Sequence, residues 1–526
     1  MKKRHVIVLL SLVLLVSCGK LDFESLETGK PYFGHCQDKG CVLVVDQVEA
    51  GNLKGRVYLD EGDLVAQPLG FTSDLKDNGK GRLWIDDGEK RLAKVSLNKG
   101  SIKGTVDGNA FVLSLVPETD FSFKSQFKDP CFKVVMEQGR VYARNVRGYW
   151  TSYPETGEEF MTIYLRKSFD LVAKERLDLD MDIYYPATPP GEGRRPLLLL
   201  IHGGAFFNGD KQSVGYPEMA RHFASRGYVV SSINYRLGFK PSADAVDCAG
   251  YRALQDAHAA VCYLIDNADE FGIDTTKIFA AGTSAGAITA LNLAFMEEDN
   301  RPACTYHIGP INAVAGDHDR PFHVNAVVNM WGAVHDLSMI NNSPGTSILS
   351  FHGDADHIVP YAFGYPFDGV FETPVDGIFD FFGTSVNEVV FNPMQGSKAI
   401  HDKAVAMGRR SELHTVEGGD HSLHVDCGRL SHYFYDTIIP NMTRFLYEEI
   451  VGGQAVRLDR DGAWFDVVGA DHVAELHWRV DGGVVMACQG DARAKLLFFG
   501  DATEHSVTIG GKYRNGVEFN EKQSVY

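Results

Sequence analysis

The pattern of hydrophobic and polar positions changes twice along the 526-residue chain. Residues 18–130 contain short apolar–polar alternations separated by Asp, Asn, Gly and Lys, which predicts a small β domain, either a sandwich or a barrel. Residues 131–450 alternate strand-like and helix-like segments, which predicts a mostly parallel sheet with helices on both faces. Residues 451–526 return to the β pattern, and we predict a second small domain there, of sandwich type.

The two terminal segments contain no obvious catalytic pattern. Strands are predicted in the first of them at Cys41–Val45, Gly55–Leu59, Gly81–Ile85 and Ala110–Val116. We expect Tyr58, Phe71 and Trp84 in a β core, and a sugar-binding face is the alternative. In the last segment, residues 474–483 and 505–519 have hairpin-like patterns, and the second is faintly similar to the closing strands of immunoglobulin-like modules.

The middle segment contains a regular series of elements. Apolar runs predict its strands, and amphipathic stretches predict its helices. The predicted strands are Leu179–Pro186, Arg195–Ile201, Tyr228–Ile233, Lys277–Ala281, Val324–Met330, Ser347–Phe351 and Glu412–Val416, and the predicted helices are Glu218–Ser225, Asp247–Asn267 and Tyr433–Val451. Candidate chemical groups follow several of these strand ends.

One predicted strand leads directly into Gly282-Thr-Ser-Ala-Gly286, and a helix-forming run follows. A serine in G-x-S-x-G between a strand and a helix lies on a sharp turn that exposes its hydroxyl group. Side chains at positions 282 and 286 would collide across that turn, so glycine is needed at both. The N–H of Ala285 begins the helix and points at negative charge forming beside Ser284. We therefore predict Ser284 as a nucleophile; a small-residue helix start packed on a sheet is the alternative.

The loop His202-Gly-Gly-Ala-Phe206 follows another predicted strand. It resembles the HGG[GA] oxyanion loop of carboxylesterases and lipases. This resemblance implies that the N–H groups of Gly204 and Ala205 join that of Ala285 as oxyanion donors. We expect His202 to hold the loop and not to act as a base. Many relatives have glycine where Ala205 stands, which puts bulky tertiary-alcohol esters in doubt as substrates.

Two later loops contain a candidate acid and a candidate base. The stretch His352-Gly-Asp-Ala-Asp-His-Ile-Val-Pro360 resembles the HG-x-x-D-x-x-VP loop of α/β-hydrolases, which places the acid at Asp356, with Asp354 as the alternative. The stretch Val416-Glu-Gly-Gly-Asp-His-Ser-Leu423 resembles the G-x-x-H loop that carries the base, which places it at His421. Rival bases are His401, His414 and His424. The order serine, acid, histidine along the chain is the order used by this fold.

Residues of roughly 175–450 resemble bacterial esterase/lipase proteins of the α/β-hydrolase superfamily. Besides the loops, the resemblance rests on Met181–Pro186, Ala224–Val230, Ile233–Arg236, Tyr251–Ala257 and Phe271–Asp274. It implies an α/β-hydrolase fold for this segment, which lies between the two all-β domains predicted from the strand pattern. It also implies that Ser284, His421 and Asp356 cleave carboxylic esters through an acyl-enzyme, without a metal or an organic cofactor. Asp256 lies in the long helix, at a position that is usually structural in such proteins.

An aromatic-rich insertion separates the candidate acid from the candidate base. Its aromatic residues concentrate in Tyr361–Phe367 and Phe379–Phe382. One hypothesis is that this insertion overhangs Ser284 and shapes the acyl or alcohol pocket. The alternative is a connection that packs into the core.

The N-terminus predicts export. Met1-Lys-Lys-Arg-His5 is positively charged, and Val6–Val16 is apolar except for one serine, too short a run to span a bilayer. We therefore predict a signal peptide over residues 1–17. Leu15-Val-Ser-Cys18 resembles the bacterial lipobox, which implies acylation of Cys18 and a lipid anchor in the cell envelope, at the periplasmic or surface face of the outer membrane. A secreted protein with a chance cysteine is the alternative.

Charge and cysteine positions exclude some partners and bonds. The net charge of −18 is spread along the chain, which disfavours a nucleic-acid partner. No C-x-x-C pair is present, so we expect no metal or redox site. On one helix, Cys248 and Cys262 would be about 20 Å apart, too far for a disulfide.

We expect a serine carboxylester hydrolase whose substrates are small acyl esters or acylated polysaccharides. A serine peptidase of the same fold is one alternative. A surface lipoprotein that binds ligands without catalysis is another. The oligomeric state stays open.

Overall fold

The computed structural model describes residues 26–36, 39–49, 52–76, 80–86, 91–98, 101–106, 109–116, 121–147, 176–187, 194–239, 242–368, 391–488 and 490–525. The predicted signal peptide, Cys18 and Phe379–Phe382 lie outside these residues. The chain forms two compact units, one of Met1–Ser125 with Gln454–Tyr526, and one of Gln126–Gly453. Within the described residues, no helix has the length and apolar character needed to cross a bilayer.

The first unit begins with nine strands. They are β1 Pro31–Cys36, β2 Lys39–Glu49, β3 Asn52–Leu59, β4 Val65–Ala66, β5 Leu69–Leu75, β6 Lys80–Asp86, β7 Arg91–Asn98, β8 Ser101–Val106 and β9 Asn109–Leu115. All except β4 form a closed antiparallel barrel in which β1 pairs with β9. Alternate side chains such as Val57, Phe71 and Leu83 fill its interior. Of the two architectures predicted for this segment, the structure has the barrel.

The second unit contains thirteen strands and six α-helices among the described residues. The strands are β10 Val134–Arg147, β11 Arg176–Pro186, β12 Arg195–Ile201, β13 Val229–Ile233, β14 Ile273–Thr283, β15 Val324–Met330, β16 Ala333–Val334, β17 Ser347–Gly353, β18 Phe363–Gly364, β19 Met394–Gly396, β20 Ser411–Val416, β21 Val425–Asp426 and β22 Arg429–Leu430. The helices are α1 Tyr216–Ala224, α2 Ala243–Asp266, α3 Ala268–Phe271, α4 Ala285–Phe295, α5 Ser397–Ala406 and α6 Ile439–Val451. A π-helical turn, Phe434–Ile438, leads into α6.

An eight-stranded sheet organises this unit, in the order β10-β11-β13-β12-β14-β15-β17-β20. The first two strands are antiparallel to their neighbours, and the strands from β13 to β20 run parallel. Helices pack on the sheet, and every residue of β12 is buried because both faces are covered. The carboxyl ends of β12, β14, β15, β17 and β20 meet at one edge, where a ligand site is expected in such a sheet. This part of the chain therefore has the α/β-hydrolase fold.

The last segment adds strands β23 Arg457–Asp461, β24 Trp464–Val468, β25 Val473–Asp481, β26 Gly483–Ala487, β27 Arg493–Phe499, β28 Ser506–Tyr513 and β29 Glu518–Ser524. The predicted hairpin at 505–519 is present as β28 and β29. The one predicted at 474–483 is wrong, because β25 pairs with β28 and β26 pairs with β27.

The two terminal segments, which we predicted as separate domains, contact each other within one unit. Strand β4 pairs with β27, and the ring of Tyr58 stacks on that of Phe499 at 4.3 Å. Arg56 forms an ion pair with Asp501 at 2.6 Å. Tyr58 and Phe71 are buried, as expected for core aromatics, whereas Trp84 is half-buried.

Candidate active site

Ser284 lies between the end of β14 and the start of α4. Its backbone has φ 52° and ψ −122°, a left-handed conformation that a non-glycine residue rarely adopts. The turn is so tight that a Cβ on Gly282 would come within 2.3 Å of the carbonyl carbon of Gly286. A Cβ on Gly286 would lie 1.9 Å from the carbonyl oxygen of Ile201 in β12. Both glycines are therefore required for the sharp turn that carries Ser284.

The loop after β12 lies against this turn. Gly204, Ala205 and Phe206 all have positive φ, with values of 110°, 53° and 59°. Within the described residues, the backbone N–H groups of Gly204, Ala205 and Ala285 donate no hydrogen bond. These are the three groups proposed from the sequence as oxyanion donors, and they have no protein acceptor to satisfy them.

His202 packs beneath the protein surface and contacts the backbone of this loop. It is fully buried, its Nδ1 lies 2.7 Å from the carbonyl oxygen of Gly203, and its ring stacks on that of Tyr235 at 4.3 Å. Burial lowers the pKa of His202 to about 4. A neutral ring without access to the cavity agrees with a role in holding the loop.

The loops after β17 and β20 bring the candidate acid and base to Ser284. His421 Nε2 lies 3.0 Å from Ser284 Oγ, and His421 Nδ1 lies 2.7 Å from Asp356 Oδ2. Asp354 does not contact His421; its Oδ1 accepts the backbone N–H of Gly418 at 2.6 Å. The structure therefore places Asp356, and not the alternative Asp354, beside the histidine.

The rival histidines lie elsewhere. His401 Nδ1 contacts Ser411 Oγ at 2.9 Å, and the ring of His414 stacks on that of Phe351 at 5.0 Å. His424 lines the same cavity as Ser284, but His421 is the ring in contact with the hydroxyl group. Burial, with a smaller contribution from nearby His421, lowers the pKa of His424 to about 4.

Asp356 accepts four N–H groups. Its Oδ1 accepts the backbone N–H groups of Ile358 and Val359 at 2.8 and 3.0 Å. Its Oδ2 contacts His352 Nε2 at 3.1 Å, in addition to His421. Burial acts to raise the pKa of Asp356, but the hydrogen bonds from His352 and His421 outweigh burial and hold that pKa well below its usual range. The carboxylate is therefore ionised at neutral pH.

His352 was not assigned a role from the sequence. Its Nε2 faces two acceptors, Asp356 Oδ2 and the carbonyl oxygen of Val359, so Nε2 carries the proton. Its Nδ1 then accepts the hydroxyl proton of Ser397 at 2.6 Å. The only signal in the sequence was its place at the start of the loop that carries Asp356.

Trp331 was also missed. It directly follows β15, has φ 47°, and is almost completely buried. Its ring centre lies 6.2 Å from that of His421 and 5.1 Å from that of His424. The other candidate loops were found because they directly follow buried parallel strands. The same criterion would have identified Trp331.

A cavity of about 620 Å³ opens over Ser284. Apolar side chains line much of it, including Val214, Trp331, Ile358 and Phe367. Its described lining contains no Asp, Glu, Lys or Arg. Phe367 belongs to the aromatic insertion, so part of that insertion does contact the cavity, whereas Phe363 is 64% exposed.

Two other polar groups do not belong to this site. Asp256 is fully buried and forms an ion pair with Arg236 at 2.8 Å, which agrees with a structural role. A group that could hold a metal ion, His258, Cys262 and Asp319, lies elsewhere. There, His258 Nδ1 lies 3.6 Å from Cys262 Sγ, and His258 Nε2 lies 4.0 Å from Asp319 Oδ1. Cys248 and Cys262 both lie on α2 as free thiols.

Comparisons with known proteins bear on the same region. Residues 181–350 match the family model BD-FAE. Gut esterase 1 of Caenorhabditis elegans is 36% identical over 107 residues, which are 20% of this chain and 19% of that protein. Esterase LipI of Mycobacterium tuberculosis is 31% identical over 117 residues, which are 22% of this chain and 34% of that protein. The chain thus spans between 19% and 34% of the length of these curated relatives.

A solved structure of Thermogutta terrifontis esterase 2, phosphorylated by paraoxon, is 21% identical, with a TM-score of 0.36. That similarity covers 52% of this chain and 90% of the other. The fold assignment rests on the strand order described above. The sequence matches support an esterase family of the α/β-hydrolase superfamily for this part of the chain.

Proposed function

We propose that the protein is a serine carboxylester hydrolase that works through an acyl-enzyme on Ser284. His421 takes the hydroxyl proton through Nε2 while Ser284 Oγ attacks the carbonyl carbon of the ester. His421 then returns the proton to the leaving alcohol. Water hydrolyses the acyl-enzyme in the same way, with His421 again as the base. Asp356 keeps the proton of His421 on Nδ1 and stabilises the imidazolium ion.

The observation that supports this mechanism best is the chain of contacts from Ser284 through His421 to Asp356, at 3.0 and 2.7 Å. The N–H groups of Gly204, Ala205 and Ala285, which have no acceptor in the described structure, are the proposed donors to the oxyanion of the tetrahedral intermediate. Losing one such donor typically costs about 3 kcal/mol of transition-state stabilisation.

The lining of the cavity supports a neutral ester as substrate. A peptidase that recognises a chain terminus needs a charged side chain for the amine or the carboxylate, and the described lining contains none. Apolar walls and a volume of about 620 Å³ suit an acyl or alcohol group larger than acetyl. We propose that the substrates are acylated polysaccharides or other small acyl esters.

We also propose that the protein is exported and anchored in the cell envelope through lipid on Cys18. The apolar run that precedes Cys18 supports export, and acyl chains on that cysteine would give stable membrane association. Growth of an expressing bacterium with radioactive palmitate tests this proposal. Wild type should carry the label and Cys18→Ser should not; equal labelling of both would contradict it.

Hydrolysis of p-nitrophenyl acetate and butyrate tests the catalytic proposal. Ser284→Ala should lower kcat by about 10⁴-fold or more, because the nucleophile is removed. Ser213→Ala is the matched control, since Ser213 lines the same cavity and, among the described residues, its hydroxyl oxygen accepts one hydrogen bond, from the backbone N–H of Asp210. Equal activity of Ser284→Ala and wild type would refute the proposal.

A further inference from the structure

A second cavity, separate from the one over Ser284, lies on the outer face of the barrel. It is a groove of about 880 Å³ across strands β5 to β8. Its charged lining consists of five basic side chains and one acidic side chain: Lys76, Lys80, Arg82, Lys94, Lys103 and Asp74. We call it the basic groove. Its composition contrasts with the whole chain, whose net charge is −18.

The strand register explains why these cations are neighbours. Arg82 on β6 pairs with Lys94 on β7, and Ser96 on β7 pairs with Lys103 on β8. The residues between them, such as Leu83 and Ala93, are buried in the barrel core. Because side chains alternate along a strand, the cations all lie on the outer face. All five basic side chains are exposed.

Acidic side chains compensate this charge little within the described residues. There, no ion pair joins Lys76, Arg82, Lys94 or Lys103 to a carboxylate. Asp74 uses Oδ1 to accept the backbone N–H of Arg82 at 3.0 Å. Like charges that lie side by side on adjacent strands repel each other and destabilise a sheet. A bound anionic ligand would relieve this repulsion.

The extent of the groove indicates the size of that ligand. Three strand-to-strand steps separate β5 from β8, which is about 14 Å at about 4.8 Å a step. A single phosphate or sulfate ion is too small to contact cations spread over this distance. An extended chain with repeated negative charges can contact them all.

The uncharged residues and the shape of the basic groove favour one class of polyanion over the others. Single-stranded nucleic acid needs aromatic side chains on which bases stack, and the described lining contains none. A bilayer surface is met by a protruding face, whereas this surface is concave. The hydroxyl groups of Ser96 and Thr105 lie in the groove beside the cations and suit the hydroxyl groups of sugars.

We propose that the basic groove binds an acidic polysaccharide, a glycan chain with uronate carboxylates. The carboxylates pair with Arg82, Lys94 and Lys103, and the sugar hydroxyls bond to Ser96 and Thr105. This binding would keep the enzyme on a charged glycan independently of the chemistry at Ser284.

Binding of the full chain to polygalacturonate, measured by isothermal titration calorimetry, tests the proposal. Dextran serves as the neutral glycan, and vesicles with 30% phosphatidylglycerol and a dT20 oligonucleotide serve as the other polyanions. Wild type should bind polygalacturonate, with an affinity that falls as salt rises. Binding to the other three should be at least tenfold weaker.

The test variant is Lys94→Glu/Lys103→Glu, which should weaken polygalacturonate binding at least tenfold. The control is Lys133→Glu/Arg514→Glu, which makes the same change in net charge at two exposed residues outside the groove. The control should change binding less than twofold, and both variants should keep wild-type hydrolysis of p-nitrophenyl acetate and wild-type circular dichroism. Absence of wild-type binding, equal weakening by both variants, or tighter binding of vesicles or oligonucleotide would overturn the proposal.

Discussion

Replacing Asp356 with asparagine tests the hydrogen-bond geometry of the proposed acid. Asp356 accepts two backbone N–H groups through Oδ1 and the ring N–H groups of His421 and His352 through Oδ2. Asparagine has one acceptor oxygen and one NH₂ donor. Its oxygen should face the backbone N–H groups, because those cannot lose their protons. The NH₂ group then faces the two histidine rings.

The substitution should change the tautomer of His421, the histidine that contacts Ser284. To accept a hydrogen bond from the new NH₂ group, His421 has to move its proton from Nδ1 to Nε2. Its Nε2 then donates towards Ser284 and can no longer take the hydroxyl proton. The expected loss is about 10⁴-fold in kcat. That loss corresponds to about 5 kcal/mol of transition-state stabilisation.

Steady-state hydrolysis of p-nitrophenyl acetate measures the effect. Asp354→Asn is the matched control, because Asp354 lies two positions away and contacts Gly418 instead of His421. An asparagine oxygen keeps that bond, so the control should lose less than about threefold in kcat/KM. The reasoning is refuted if Asp356→Asn keeps more than about a tenth of wild-type activity, or if the control is equally inactive.

Three further changes probe the surroundings of the site. Gly286→Ala places a Cβ 1.9 Å from the Ile201 carbonyl oxygen and should cost about 1–3 kcal/mol, seen as a lower thermal midpoint; an unchanged midpoint would contradict the close contact. His352→Leu removes one hydrogen bond to Asp356 and should lower kcat/KM about tenfold, and no change would show that the bond is dispensable. The pKa of His202 is lowered from 6.5 to about 4, so the unfolded chain binds the extra proton between these values and stability falls as pH falls through that window. Lowering the pH from 7.5 to 5 should therefore reduce the free energy of unfolding by about 2 kcal/mol through this one histidine. In His202→Gln, denaturant unfolding should show a decrease that is smaller by this amount, and an equal decrease in the variant and in wild type would contradict the prediction.

Much of the second unit was predictable because its central strands are mostly apolar and almost completely buried. Arg195–Ile201 and Val324–Met330 were predicted with the bounds that the structure has. The loops that carry Ser284 and Asp356 follow such strands, and the loop that carries His421 follows the partly exposed edge strand β20. Their convergence followed from the shared carboxyl edge of the parallel sheet. The sequence placed the acid at Asp356 and kept Asp354 as the alternative, since only the folded loop decides which carboxylate contacts the histidine ring.

Other features depend on contacts that a local pattern does not contain. Strand β10 was missed because its side chains alternate poorly: its pairing with β11 is interrupted by register shifts, and Gly139 has φ 73°. A barrel and a sandwich share the same alternation, and the long-range pairing of β1 with β9 decides between them. The role of His352 arises from its contact with the Asp356 carboxylate, and that of Trp331 from its packing against His424. Both contacts exist only in the folded unit.

The most direct test of the central claim is covalent labelling by a fluorophosphonate probe, followed by tandem mass spectrometry of the labelled peptide. The proposed mechanism predicts one adduct per chain, on Ser284, formed by wild type and by Ser213→Ala and absent from Ser284→Ala. Labelling that persists at an equal rate in Ser284→Ala, or an adduct found on another residue, would contradict it.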